Sequence, residues 1–224
     1  MTFTGFIGTV CMFPMRAIIA ASVALRIHPN TLTLIGLLIN VAAAVALGLD
    51  HFALAAVIMI VANIFDFIDG KVAHITNTVS RFGAFWDSTL DRFSDIALFL
   101  GLIYLYASLR RTDYVMVASL AMMFTIMTSY TRARAESLIP SCKVGFLERP
   151  ERIVLLIIGS LWNRMPQVLW VLAILWFIAS YRLWQAYRHY LRFDHPLGTV
   201  VAAQVIVILA TATVLVPQLA WIDF

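Results

Sequence analysis

Five aspartates, Asp66, Asp69, Asp87, Asp91 and Asp95, fall between residues 63 and 95 of a chain that is otherwise strongly apolar. Asp66 and Asp69 are three residues apart, and Asp87 and Asp91 are four apart. Both spacings place two side chains on one face of a helix. A carboxylate inside a membrane segment is costly unless it meets a cation or lines a wet cavity. Four of them aimed at one point would repel one another, and divalent cations relieve that repulsion. A ligand set made only of oxygens favours a hard ion, Mg²⁺ or Mn²⁺. Two such ions about 3.5–4 Å apart can clamp a phosphoryl group between attacking and leaving oxygens. Gly70, directly after Asp69, and Gly83, four residues before Asp87, leave the backbone bare where a phosphate or a base could approach. Asp95, one turn beyond Asp91, reads either as a supporting partner of that site or as a polar residue of helix packing.

The elements that must hold these acids follow from composition. The chain has 224 residues, of which 62% are hydrophobic and 12% charged. That balance excludes a soluble domain of this size and marks an all-α integral membrane protein. No polar stretch is long enough for a separate soluble domain, so residues 1–224 are read as a single transmembrane unit. Cys11 and Cys142 do not suggest a disulfide framework. The N-terminus lacks a basic stretch followed by a small-residue cleavage site, so no removable signal peptide is expected.

Residues 1–27 are interrupted by Pro14, and their apolar run is bracketed by Arg16 and Arg26. At about 20 residues per crossing, this segment is expected to lie in the membrane interface as an amphipathic helix. His28-Pro29 breaks the chain, and Asn30 or Thr31 can cap the next helix. Crossings are expected over 31–49, 52–68 and 82–107, with a polar piece at 71–81 between the second and third. A turn at 108–113 leads to a crossing over 114–131 that continues into a basic helix. After a polar loop through Lys143, a short crossing runs from Glu148-Arg149 to about Trp162, and another covers 167–181. Residues 197–220 form a last apolar segment. Both acidic pairs then fall at the same membrane side, as a shared site requires.

That side also collects Arg16, Arg26, Lys71, Arg81, Arg132, Arg134, Lys143, Arg149, Arg152, Arg182, Arg188 and Arg192. The other side has Arg110, Arg111 and Arg164. Twelve against three places the acids on the cytoplasmic side by the positive-inside bias, within reach of soluble phosphorylated metabolites.

In order, the acids and glycines read Asp66-x-x-Asp69-Gly70-x-x-Ala73-His74, eight residues, then Gly83-x-x-x-Asp87-x-x-x-Asp91. This string closely resembles the signature of the CDP-alcohol phosphatidyltransferases, D-x-x-D-G-x-x-A-R-(x8)-G-x-x-x-D-x-x-x-D. Seven of the eight fixed positions match, the exception being His74, where the family has Arg. The resemblance covers about residues 28–190. It implies a six-helix catalytic bundle, here assigned to 28–192, that acts as a homodimer; residues 195–224 would be an additional hydrophobic helix.

The resemblance further implies two Mg²⁺ or Mn²⁺ ions held by Asp66, Asp69, Asp87 and Asp91, with Asp91 as the general base. Pro29, Asn30, Thr31, Leu32, Gly70, His74, Ser80 and Gly83 would seat the CDP-linked lipid, CDP-diacylglycerol or a relative. A lipid-phosphate group would then pass to an alcohol, releasing CMP. Where an Arg would offer a fixed charge and a fork of donors, His74 offers a shorter, pH-dependent one, and Lys71 or Arg81 could substitute.

Arg clusters suit phosphate, and Arg132, Arg149, Arg152 and Arg182 are the candidates for an acceptor phosphate, with Arg134 and Lys143 weaker. The strings SYTRARAES, FLERPER and DSTLDR resemble the phosphatidylinositol-phosphate synthase branch and its archaeal-lipid relatives, so the preferred acceptor is inositol phosphate. The phosphatidylglycerolphosphate branch usually has Pro and Lys where this chain has Ser88 and Arg92. A different acceptor within the same class remains open, as does a cation-coupled transporter, which would have no use for Gly70 and Gly83. The expected setting is the plasma membrane of a prokaryote; no nucleic-acid partner is expected.

Overall fold

A computed structural model describes residues 15–137 and 149–174. The described residues form seven helices: α1 (Met15–Ala24), α2 (Pro29–Gly48), α3 (Phe52–Ile75), α4 (Arg81–Ser108), α5 (Thr112–Glu136), α6 (Arg149–Leu161) and α7 (Met165–Ile174). Among the described residues there is no strand. The first fourteen residues of the expected interfacial helix, the loop with Lys143, Arg182 and the segment 195–224 lie outside the described residues.

Among the described residues, three helices are long and apolar enough to cross a membrane: α2, α3 and Thr112–Arg134 of α5. With 28 residues, α4 has the length as well, but it carries Asp87, Asp91 and Arg92 in its first half and Asp95 at its middle. The molecule is an integral membrane protein built from helices, and its acids sit on two of the longest of them.

Compact packing divides the chain into two units, Met1–Gly101 and Leu102–Phe224, with the boundary inside α4. In the first unit α2 and α3 form an antiparallel pair joined by a tight turn. Their facing sides are built largely from small residues: Ala43, Ala44 and Ala46 on α2, and Ala55, Ala56 and Ala62 on α3, all buried. Small side chains let two backbones come close where lipid offers no hydrophobic drive to associate. α4 joins in the same way. A Cβ built on Gly101 would run into the backbone carbonyl of Ala44, so these two helices touch main chain to main chain. At the other end of the pair, Leu32, Ile68 and Val72 form an apolar cluster, against which Ile18, Ile19 and Val23 of α1 and the following Ile27 pack. The ten described residues of α1 are by themselves fewer than the about 20 a crossing needs.

Two boundaries differ from the sequence reading. α2 begins at Pro29, two residues before the expected 31, and its cap is neither Asn30 nor Thr31. Instead the Asn30 N–H donates to His28 Nδ1 at 3.2 Å, and Pro29, which has no N–H to satisfy, occupies the first turn. α3 does not end at 68 but runs to Ile75. Gly70 is tolerated inside the helix because the following Lys-Val-Ala-His run is compatible with it, and the polar stretch only then becomes a loop. Thr76 closes it by donating its hydroxyl to the Val72 carbonyl at 2.7 Å, and Asn77 turns the chain at φ 53°. Ser80 starts α4, its Oγ accepting the Gly83 N–H at 3.0 Å, an N-cap bond.

In the second unit, Arg110 (φ 56°) turns the chain between α4 and α5. Arg111 then grips Asp113 with two bonds of 2.9 and 3.1 Å and lies over the Tyr114 ring at 4.7 Å. α6 and α7 pack closely, since a Cβ on Gly159 would sit 2.7 Å from Val168 Cγ2.

Candidate active site

The acids take their places from the α2–α3 pair and the start of α4. Asp66 and Asp69 lie in the second half of α3, and α2 presents Thr33 and Gly36 to them, likewise three residues apart. Thr33 lies within reach of the Asp69 carboxylate, while its hydroxyl also donates to the Pro29 carbonyl at 3.2 Å. Gly36 faces Asp66: a Cβ built there would be 2.8 Å from Asp66 Oδ1. Because the helices run antiparallel, the two pairs form successive rungs, Thr33 with Asp69 and Gly36 with Asp66.

Asp69 is 5% exposed and is the buried member of the set. The charges of Asp87, from α4, and of Asp66 both act on it. Its Oδ2 is buried without a hydrogen-bond partner. A buried carboxylate oxygen left unsatisfied beside two further carboxylates is costly, and a hard cation offsets both the charge and the missing bond. The donor chemistry therefore fits a divalent ion. Among the described residues, no three His, Cys, Asp or Glu side chains already close into a metal-holding group. The acids are gathered at one end of two helices rather than locked into a cage. Asp91 lies one turn further along α4, half-buried, with Arg92 Nη1 at 3.8 Å. Asp95 is 4% exposed and lies deeper along the same helix.

The residues expected to seat a nucleotide separate into two groups. Asn30 and Gly83 come together across α2 and α4, with Asn30 Oδ1 3.5 Å from a Cβ built on Gly83. The Trp86 indole N–H donates to the Asn30 carbonyl at 3.2 Å, tying the two helix starts together. Thr31, His74 and Ser80 are exposed. A Cβ on Gly70 would meet nothing within 4 Å, so the backbone there faces open space. Pro29 and Leu32, by contrast, are turned inward; Leu32 is 2% exposed and belongs to the apolar cluster that holds α1. These two shape the start of α2 from within. Lys71 places its ammonium over the Phe67 ring at 5.4 Å.

In the second unit, Arg132 pairs with Glu136 at 3.1 Å. Arg152 is 5% exposed and donates from Nη2 to Ser129 Oγ at 3.3 Å. Arg149 opens α6, and Arg134 is exposed in the last turn of α5. Arg152 is therefore held between α5 and α6 and does not reach out as a snorkelling side chain.

Three participants were not legible in the sequence. Thr33, Gly36 and Trp86 occupy positions between motif residues, and only the antiparallel register of α2 on α3, or the meeting of the two helix starts, gives them a task.

The chain is similar to known proteins along most of its length. The sequence matches the family model for CDP-alcohol phosphatidyltransferases over residues 26–222, which takes in nearly all of the C-terminal segment set apart above. It is 37% identical over 175 residues to the archaetidylinositol phosphate synthase of Pyrococcus horikoshii, covering 77% of this chain and 90% of that one. With the phosphatidylinositol phosphate synthase of Mycobacterium tuberculosis it shares 33% over 156 residues, 67% of this chain and 72% of the other. The crystal structure of that enzyme with CDP-DAG bound superposes with a TM-score of 0.70 at 26% identity, covering 76% of this chain and 93% of the other. Its complex with manganese and citrate gives 0.66 at 28% identity, covering 78% and 87%. With the signature acids on facing helices and a match along most of its length, the chain belongs to the CDP-alcohol phosphatidyltransferase family.

Proposed function

We propose that this enzyme transfers a lipid-phosphate group from a CDP-linked lipid to a hydroxyl of inositol phosphate, releasing CMP. The observation that carries the reading is Asp69, a buried carboxylate with an unsatisfied oxygen, acted on by the charges of Asp66 on its own helix and Asp87 on α4. Its relatives in an archaeon and in mycobacteria bear the names of inositol-phosphate enzymes, which supports the acceptor.

In this reading Asp66, Asp69, Asp87 and Asp91 hold two divalent ions, Mg²⁺ or Mn²⁺. Bound there, the ions supply charge neutralisation for the diphosphate and for the oxygens on which charge develops. The chain's own residues do the rest. Asn30, Thr31, Ser80 and Gly83 line the junction of α2 and α4 that receives the nucleotide, with Pro29 and Leu32 fixing the helix start from behind. Gly70 leaves room for the diphosphate, and His74 offers it a donor. Arg132, Arg149, Arg152 and Arg182 bind the acceptor's phosphate. Asp91 takes the proton from the acceptor hydroxyl. The freed oxygen forms a bond to the lipid-side phosphorus, the bond from that phosphorus to the CMP oxygen breaks, and CMP departs with the electron pair. The site faces the cytoplasm of a prokaryotic cell, and the enzyme works as a homodimer.

The test is a competition assay on purified protein, with CDP-diacylglycerol or its ether-linked counterpart as donor and inositol phosphate, inositol and glycerol 3-phosphate as rival acceptors. CMP release should depend on inositol phosphate; a preference for glycerol 3-phosphate would transfer the enzyme to another branch. Asp91→Asn should retain CDP-lipid binding and lose turnover by about 10²–10⁴-fold, the usual worth of a general base.

A further inference from the structure

We propose that Gly36 is a positioning residue: it leaves the gap on α2 that the Asp66 carboxylate occupies, and so sets the direction in which Asp66 presents its oxygens to a divalent cation. The inference rests on the metal-binding reading of the aspartates given above and adds a residue outside their motif.

Three observations carry it. First, Gly36 is buried in the interior of α2, not at an end, and a glycine there is a poorer helix residue than alanine. Its presence needs a reason other than helix formation. Second, the surroundings would accept a methyl group almost everywhere. A Cβ on Gly36 would lie 3.8 Å from Phe65 Cβ and 3.9 Å from the Ala62 carbonyl oxygen, both ordinary contacts, and only Asp66 Oδ1, at 2.8 Å, stands in its way. Third, the obstacle is the far end of a rotatable side chain. A methyl group would therefore move the carboxylate and leave the helix pair in place.

Gly101 shows the other outcome. There the atom in the way is a backbone carbonyl, which cannot swing aside. The Gly36 gap is thus specific to one carboxylate, and it sits one rung from Thr33 and Asp69. Asp66 turned away from α2 would leave the face it shares with Asp69, and the cation site would lose one of its oxygen donors.

The experiment is direct Mn²⁺ binding to the detergent-purified, full-length protein, by calorimetry or by loss of the free-ion EPR signal, with thermal unfolding of the metal-free protein as a second measurement. Wild type should bind Mn²⁺, and Asp69→Asn should not. Gly36→Ala should weaken Mn²⁺ binding at least tenfold while the metal-free melting temperature stays within a degree or two of wild type. In an Asp66→Ala background, adding Gly36→Ala should change nothing further, because the only obstructing atom is gone.

Wild-type Mn²⁺ affinity in Gly36→Ala overturns the inference while leaving the metal site itself standing. Equal losses in the presence and absence of the Asp66 carboxylate overturn it too. If Gly36→Ala folds poorly, the Asp66→Ala double variant decides: restored folding places the conflict at the carboxylate, and unrelieved misfolding places it elsewhere and sinks the proposal. Failure of wild type itself to bind Mn²⁺ through Asp69 removes the reading beneath, and the inference with it.

Discussion

The two halves of α2 use one buried face for opposite purposes. Toward its C-terminus the face is Ala43, Ala44, Ala46 and Leu47, with exposures between 0% and 7%, and it meets α3 and α4 so closely that Gly101 has no room for a side chain. Toward its N-terminus the same face carries Asn30, Thr33 and Gly36, and what it meets is polar: a tryptophan N–H and two carboxylates. In the lower half a missing side chain lets two backbones touch. In the upper half a missing side chain makes room for a charge. Glycine alone does not tell these apart; the nature of the atom that would be struck does.

Breaking the polar half should have the largest effect. Asp69→Asn removes the buried charge at the centre of the acids and should cost about 10³-fold or more in kcat, equivalent to about 4 kcal/mol of barrier, along with Mn²⁺ binding; titration of turnover against Mn²⁺ checks both. Breaking the packed half should leave the chemistry intact in whatever protein folds. Gly101→Leu forces a side chain into the Ala44 backbone and should destabilise by about 3 kcal/mol, seen as a lower melting temperature, with unchanged Mn²⁺ affinity in the folded fraction. Arg152→Ala extends the comparison to the second unit. Losing a charge-assisted contact worth about 1.5–3 kcal/mol should raise the acceptor KM by about 10–100-fold, and that of the CDP-lipid much less. Equal changes in both would make Arg152 a folding residue. Smallest is Ser80→Ala, which removes the cap on α4 and should cost about 1 kcal/mol of stability, with a modest rise in the KM for the CDP-lipid and little change in kcat.

The acids were the most legible part of the molecule, because charge inside an apolar run is rare and their helical spacing is unambiguous. The spans over α2 and α4 were nearly as plain. The polar piece at 71–81 is less uniform than its hydropathy suggests. Lys71 and His74 are polar, yet they belong to α3, because helix continuation depends on residue-by-residue compatibility and not on hydropathy once the helix has left the hydrocarbon. Gly48 is the last helical residue of α2, and the left-handed turn after it is made by Asp50, at φ 63°. Among the described residues no glycine has positive φ. Gly36, Gly101 and Gly159 serve close approach, and Asp, Asn and Arg make the left-handed turns. The partners of the acids, Thr33 and Gly36, were illegible because they depend on how α2 registers against α3, which no local pattern encodes.

The tight contact of Gly101 with Ala44 has a mechanical consequence. Asp87 lies about 21 Å up α4 from that point, at 1.5 Å per residue, and beside it the Trp86 indole N–H is bound to the Asn30 carbonyl at 3.2 Å. α4 is thus tied to α2 at both ends of this stretch, a beam on two supports and not a free arm, which holds Asp87 at a set distance from the acids of α3.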